Sequence, residues 1–142
     1  MHFSDGITYT FAAGTQLAAG EHIVVVRDRV AFEALYGQTV RVAGTFRSGG
    51  LSNSGEQITL RTASGFIIHD FRYDNSWFPS TDGGGFSLSV VDDAAETARW
   101  NEPTQWRASS DRHGTPGADD IANIPLAYAD WLTSHFTPEE VA

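Results

Sequence analysis

Apolar and polar residues alternate along much of the chain between residues 7 and 90. Ile7, Tyr9 and Phe11 alternate with Thr8 and Thr10, which is the period of a strand with one face buried. A β-branched run from Ile23 to Val26 predicts a second, more central strand after the punctuation of Ala13-Gly14 and Ala19-Gly20. The pattern then changes. Phe32, Leu35 and Tyr36 lie at helical spacing, with Asp28 placed to cap a short helix over residues 29 to 36 and Gly37 placed to stop it. Val40, Val42, Gly44 and Phe46 return to the strand period and are closed by Gly49-Gly50. Ile58 and Leu60 alternate with Gln57, Thr59 and Arg61, and Ser64-Gly65 turns that strand into a partner over Phe66 to Tyr73, which predicts a hairpin.

Residues 75 to 85 read as a loop, and Phe86, Leu88 and Val90 alternate with Ser87 and Ser89 as a further strand. Trp106 anchors a last short strand. Beyond Gly114-Thr115-Pro116-Gly117, residues Ile124, Tyr128, Trp131, Leu132 and Phe136 fit a helix over Asn123 to Phe136, with Pro125 in its first turn. About six short strands separated by turns predict an all-β protein, an antiparallel sandwich or barrel with one short internal helix and a helical tail. The inward-facing core is expected from Phe11, Val24, Val26, Ile58, Leu60, Phe71, Tyr73, Leu88 and Trp106.

Composition narrows the function more than the fold. The 142 residues are enough for one domain with its own core, and the longest apolar run, Ile23 to Val26, is far too short to span a membrane. All nine basic residues are arginine, against 18 carboxylates, for a net charge of −9. That balance argues against a nucleic-acid partner, which is bound through a basic surface. The acidity is concentrated in residues 72–142, largely in turn-rich segments, and reads as solvated loops and tail. There is no cysteine, so disulfides, thiolate metal sites and cysteine nucleophiles are excluded. Met1-His2-Phe3-Ser4-Asp5 does not read as a signal peptide.

Candidate chemistry is sparse. Gly50-Leu51-Ser52-Asn53-Ser54-Gly55 has the composition of a turn but not the G-x-S-x-G flanks of a nucleophile elbow, so a loop tied by side-chain-to-backbone bonds is expected. Five histidines show no metal-ligand spacing. His69 beside Asp70 is the best catalytic candidate, but neighbours in a strand point to opposite faces, which keeps the two from one substrate. Asp74 and Asp82 share one expected loop with Gly83-Gly84-Gly85 and are the candidates for calcium. No segment has the EF-hand order, so no metal or cofactor is expected. No phosphate-cradling motif occurs. Trp77, Phe78 and Trp100 would form a carbohydrate platform only if exposed and coplanar; large aromatics in a small sandwich are more often core.

A longer order of motifs carries a resemblance. Asp5-Gly6-Ile7-Thr8-Tyr9-Thr10-Phe11 is followed by Leu51-Ser52-Asn53-Ser54-Gly55-Glu56, then Tyr73-Asp74, Trp77 with Pro79, and Asp82-Gly83-Gly84-Gly85 with Ser87-Leu88. Trp106 and Gly114-Thr115-Pro116-Gly117 close the series. Over about residues 3–118 this resembles the lamin tail domain in its bacterial secreted branch. The resemblance implies an immunoglobulin-like β-sandwich over residues 1–118 and, over residues 119–142, a linker plus the helical start of a following region. It implies no catalytic residue. The expected role is an interaction or tethering module of a larger exported or cell-surface protein, holding a protein or a surface polymer. The alternative is a carbohydrate-binding module of an extracellular hydrolase. Members of the family begin with one or two further strands, so an open sheet edge is expected here, available to β-augmentation or to strand exchange between copies.

Overall fold

The computed structural model describes residues 1–120. The strands are β1 (His2–Asp5), β2 (Ile7–Thr10), β3 (Val24–Val26), β4 (Val42–Thr45), β5 (Ser48–Gly49), β6 (Glu56–Arg61), β7 (Ile67–Tyr73), β8 (Phe86–Val90) and β9 (Trp106–Arg112). One α-helix, α1 (Arg29–Tyr36), lies between β3 and β4. The protein is all-β in class, as its alternation predicts. The helix expected over Asn123 to Phe136 lies outside the described residues.

Five strands form an antiparallel sheet in the order β5-β2-β1-β6-β7. One side of it is the hairpin β6–β7, with Ile58 opposite Phe71 and Leu60 opposite His69. The turn at its tip is closed by the Thr62 amide donating to the Phe66 carbonyl at 2.8 Å. Strand β1 was not legible in the pattern. His2-Phe3-Ser4-Asp5 holds a single large apolar residue, and it becomes a strand by lying between β2 and β6, where both of its edges are bonded. The remaining strands form two separate pairs, β3–β4 and β8–β9.

The antiparallel expectation needs one correction. Strands β3 and β4 run parallel, with Val24 beside Val42 and Val26 beside Thr45. Parallel neighbours need a crossover, and α1 supplies it. The sequence signals for this helix hold: Asp28 is extended and its carboxylate accepts from the Ala31 amide at 3.0 Å, while Gly37 ends the helix at φ +78°.

Among the described residues Ile7, Phe11, Val26, Ile58, Trp100 and Trp106 are the buried apolar ones, yet none of the large side chains is fully buried. Phe71, Tyr73, Val24, Leu60 and Leu88, expected in the core, are only half-buried. Trp100 joins the core from a 3-10 turn (Thr97–Asn101) set among charged residues, where no periodicity announced it. It stacks on His69 and meets Phe71 edge-on.

Candidate functional site

The incomplete burial has a geometric origin. A cavity of about 620 Å³ lies between the five-stranded sheet and the two strand pairs. Its walls are Phe3, Ile7, Ile58, Leu60 and Phe71 from the large sheet, and Ile23, Val25, Phe86 and Leu88 from the other side. A second space of about 980 Å³ separates the two strand pairs. It is lined by Val24, Val25 and Val26 of β3 and by Ser87, Ser89 and Val90 of β8. Val25 and Ser87, one from each wall, line both, so the space between the pairs lies directly against the apolar cavity. Together they make a slot with an apolar floor.

Both walls of the slot are strand edges. Among the described residues β3 is paired only with β4, and β8 only with β9. The Val24 amide donates to the Arg41 carbonyl and the Val26 carbonyl accepts from the Phe46 amide, both at 3.0 Å. Backbone groups alternate sides along a strand, so the amide and carbonyl of Val25 turn toward the slot. The same count holds for β8. The Val91 amide donates to the Gln105 carbonyl at 2.9 Å, which puts Ser89 on the β9 side and turns the backbone of Leu88 and Val90 toward the slot.

A strap covers the opposite side. His113 (φ +72°) turns the chain out of β9, and its carbonyl accepts from the Tyr36 hydroxyl of α1 at 2.5 Å. Gly117 lies so close to Val40 that a Cβ there would stand 2.8 Å from a Val40 methyl. Asp119 meets His22 at 3.2 Å. Asp120 then ties the strap to the other strand pair: its carboxylate accepts from the Ser110 amide at 3.0 Å and the Ser110 hydroxyl at 2.6 Å, and pairs with Arg107 at 3.1 Å. Burial alone would raise the Asp120 pKa. The hydrogen bonds from Ser110 and Ser89 and the Arg107 charge outweigh it and hold the carboxyl down at about 2. Sequence reasoning missed this clasp, because Asp119-Asp120 reads as part of an acidic tail.

The candidates for chemistry are dispersed. His69 faces the cavity, with its ring stacked on Trp100 at 5.0 Å between centroids and its buried Nδ1 without a partner among the described residues. Burial pushes its pKa below the ordinary value, which keeps the ring neutral at neutral pH. Asp70 is on the other face of β7, accepting from Thr59 at 2.9 Å and from Gln57. The two do not meet, as their adjacency in a strand requires.

The loop from Leu51 to Glu56 is tied by its own polar groups. Ser52 Oγ accepts from the Ser54 amide at 3.1 Å, the Ser52 carbonyl accepts from the Tyr73 hydroxyl at 2.8 Å, and Glu56 accepts from the Ser52 amide at 3.1 Å. All three bonds run through Ser52. Gly55 (φ +83°) lies against the Tyr73 carbonyl, where a Cβ would stand at 2.5 Å. Leu51 is exposed at the mouth of the cavity.

Asp74 accepts from the amide and hydroxyl of Ser76 at 2.8 and 2.7 Å, and those bonds lower its pKa. Asp82 accepts from Asn75 at 3.3 Å. Among the described residues no three histidine, aspartate or glutamate side chains converge on a metal-sized space, so the structure does not bring the two calcium candidates into a cluster. Gly83 and Gly85 flank the turn into β8, where Ser87 and Leu88 lie on the slot. Gly114 and Pro116 belong to the strap. Trp100 is buried and donates to the Asp92 carbonyl at 3.3 Å, while Trp77 and Phe78 are half-buried, Trp77 beside Trp106. They do not form a shared exposed platform with Trp100. No described helix is long and apolar enough to cross a membrane.

Comparison with family models, with curated proteins and with solved structures returned no match for the chain.

Proposed function

We propose that the chain is a non-catalytic interaction or tethering module, built as an immunoglobulin-like β-sandwich of the lamin tail kind. It would serve a larger exported or cell-surface bacterial protein, holding a protein or a surface polymer. The observation that carries this reading is the slot: two bare strand edges facing each other over an apolar floor are the elements by which sheets recruit other chains.

The polar groups around the slot support the same reading. Ser52 is engaged in its loop, Asp120 and Arg107 hold the strap, and His69 stacks on an indole without meeting a hydroxyl or a carboxylate among the described residues. A hydrolase needs a nucleophile or paired carboxylates within reach of a base. A carbohydrate-binding module needs flat aromatics open to solvent, and Trp100 is committed to the core.

The test is a panel of chromogenic ester, glycoside and phosphoester substrates, run beside sedimentation with insoluble cellulose, chitin and peptidoglycan. The expected outcome is no turnover. Saturable turnover lost in His69→Ala would replace the module with an enzyme. Binding to a pure polysaccharide abolished by Trp77→Ala would replace it with the sugar-binding reading.

A further inference from the structure

We propose that the slot is a receptor for one added β-strand, supplied by a polypeptide segment outside these 142 residues. The segment has large apolar side chains at alternate positions and a carboxylate near one end. This deepens, and rests on, the reading as an interaction module.

The walls define the occupant. Val25 on one side and Leu88 and Val90 on the other present backbone donors and acceptors toward the same space. A single extended segment between them would bond to both and join the two pairs into one five-stranded sheet, in the order β4-β3-strand-β8-β9. The floor sets the side chains. Successive residues of a strand point to opposite faces, so every second side chain of the occupant would enter the apolar cavity beside Ile58, Leu60 and Phe71. The buried payload would close the space that leaves the core open.

Charge sets one end of the strand. Around the slot, His22 pairs with Asp119, Arg107 pairs with Asp120, Asp28 caps α1, and Asp93, just past β8, has no basic partner among the described residues. Arg27, at the end of β3, has no carboxylate partner among the described residues. An acidic side chain at that end of the added strand would meet it.

Two other occupants fit less well. A second copy has no strand to give, because every described strand is already paired and β5 is only two residues long. The chain's own continuation leaves from the strap at Asp120, but its large apolar residues Ile124, Tyr128, Trp131, Leu132 and Phe136 fall at helical spacing, without the alternation the floor requires.

The experiment uses the whole chain and a synthetic probe, acetyl-Thr-Val-Glu-Val-Thr-Leu-Thr-Val-amide. A peptide of the same composition without alternation is the control, and calorimetry is read beside amide exchange. The alternating peptide is expected to bind and to slow exchange of the Val25, Leu88 and Val90 amides at least about tenfold, while the control does neither. Arg27→Glu, an exposed change that leaves the fold intact, is expected to reverse the preference toward a peptide with lysine in place of glutamate.

Four results would overturn the proposal: no binding by a folded chain; a Val25 amide already slow in the free monomer; protection that appears only with concentration-dependent dimers, which would assign the slot to a second copy; or protection lost when residues 121–142 are removed, which would assign it to the tail. An inert, folded chain that ignores the peptide overturns the strand and leaves the module reading standing. Turnover in the substrate panel overturns the module reading itself.

Discussion

The indole Nε1 of Trp106 donates to the main-chain carbonyl of Trp100 at 2.7 Å, in a buried contact between the first residue of β9 and the 3-10 turn before it. The bond fixes two large rings of the core with respect to each other, and Phe71 packs on both. Trp106→Phe keeps most of the apolar volume but removes the donor and leaves a small void, with the carbonyl buried and unpaired. The expected cost is about 1–3 kcal/mol, read as a lower urea midpoint at unchanged slope.

Gly55→Ala tests the loop from Leu51 to Glu56. The position combines φ +83° with a carbonyl of Tyr73 in the path of any Cβ. The variant is expected to lose about 2 kcal/mol, since strain and collision act together. Circular dichroism at unchanged amplitude with a lower melting temperature would verify it.

Asp120 makes stability depend on acid. Its folded pKa of about 2 lies below its unfolded value, so its contribution is fully present above about pH 4 and is lost as pH falls toward 2. After allowance for solvent screening the contribution is about 1 kcal/mol. Asp120→Asn is expected to be less stable at neutral pH and to lack that part of the acid slope in urea titrations between pH 5 and 2.

His69 acts in a different window. Burial depresses its pKa, so its neutral form is the one the fold accepts, and stability falls as pH drops below the unfolded value near 6.5. His69→Leu removes the charging and the orphaned Nδ1 while keeping the ring's place filled by an apolar group. The variant is expected to be at least as stable at pH 7, to exceed the parent by more at pH 5, and to show a flatter stability profile between them.

The legible part of this fold was the part set by neighbours in the chain. Asp28 and Gly37 bracket α1 as their chemistry predicts, and the hairpin β6–β7 follows from two alternating runs about Ser64-Gly65. What escaped was set from a distance. Phe3 gains its strand only from flanking partners, Val24 runs parallel to Val42 because a helix intervenes, and Trp100 reaches the core from a charged stretch. Of the candidate site, the self-tied loop at Ser52 and the placement of His69 and Asp70 on opposite faces could be read from the loop composition and the strand period. The slot could not, because the edges of β3 and β8 are far apart in the chain and no local pattern says which edge of a strand will be left bare.

The strap has a consequence for rates. Residues from His113 to Asp120 are fastened to α1 and to His22, just before β3, on one side and to β9 on the other. Anything entering beneath must thread lengthwise or wait for the fastening to open, so association would be slow for its affinity, gated by the escape of one aspartate from Ser110 and Arg107. The same barrier would slow departure. Grip and tempo in this protein would then be set by different residues, the first by the apolar floor and the second by the lock above it.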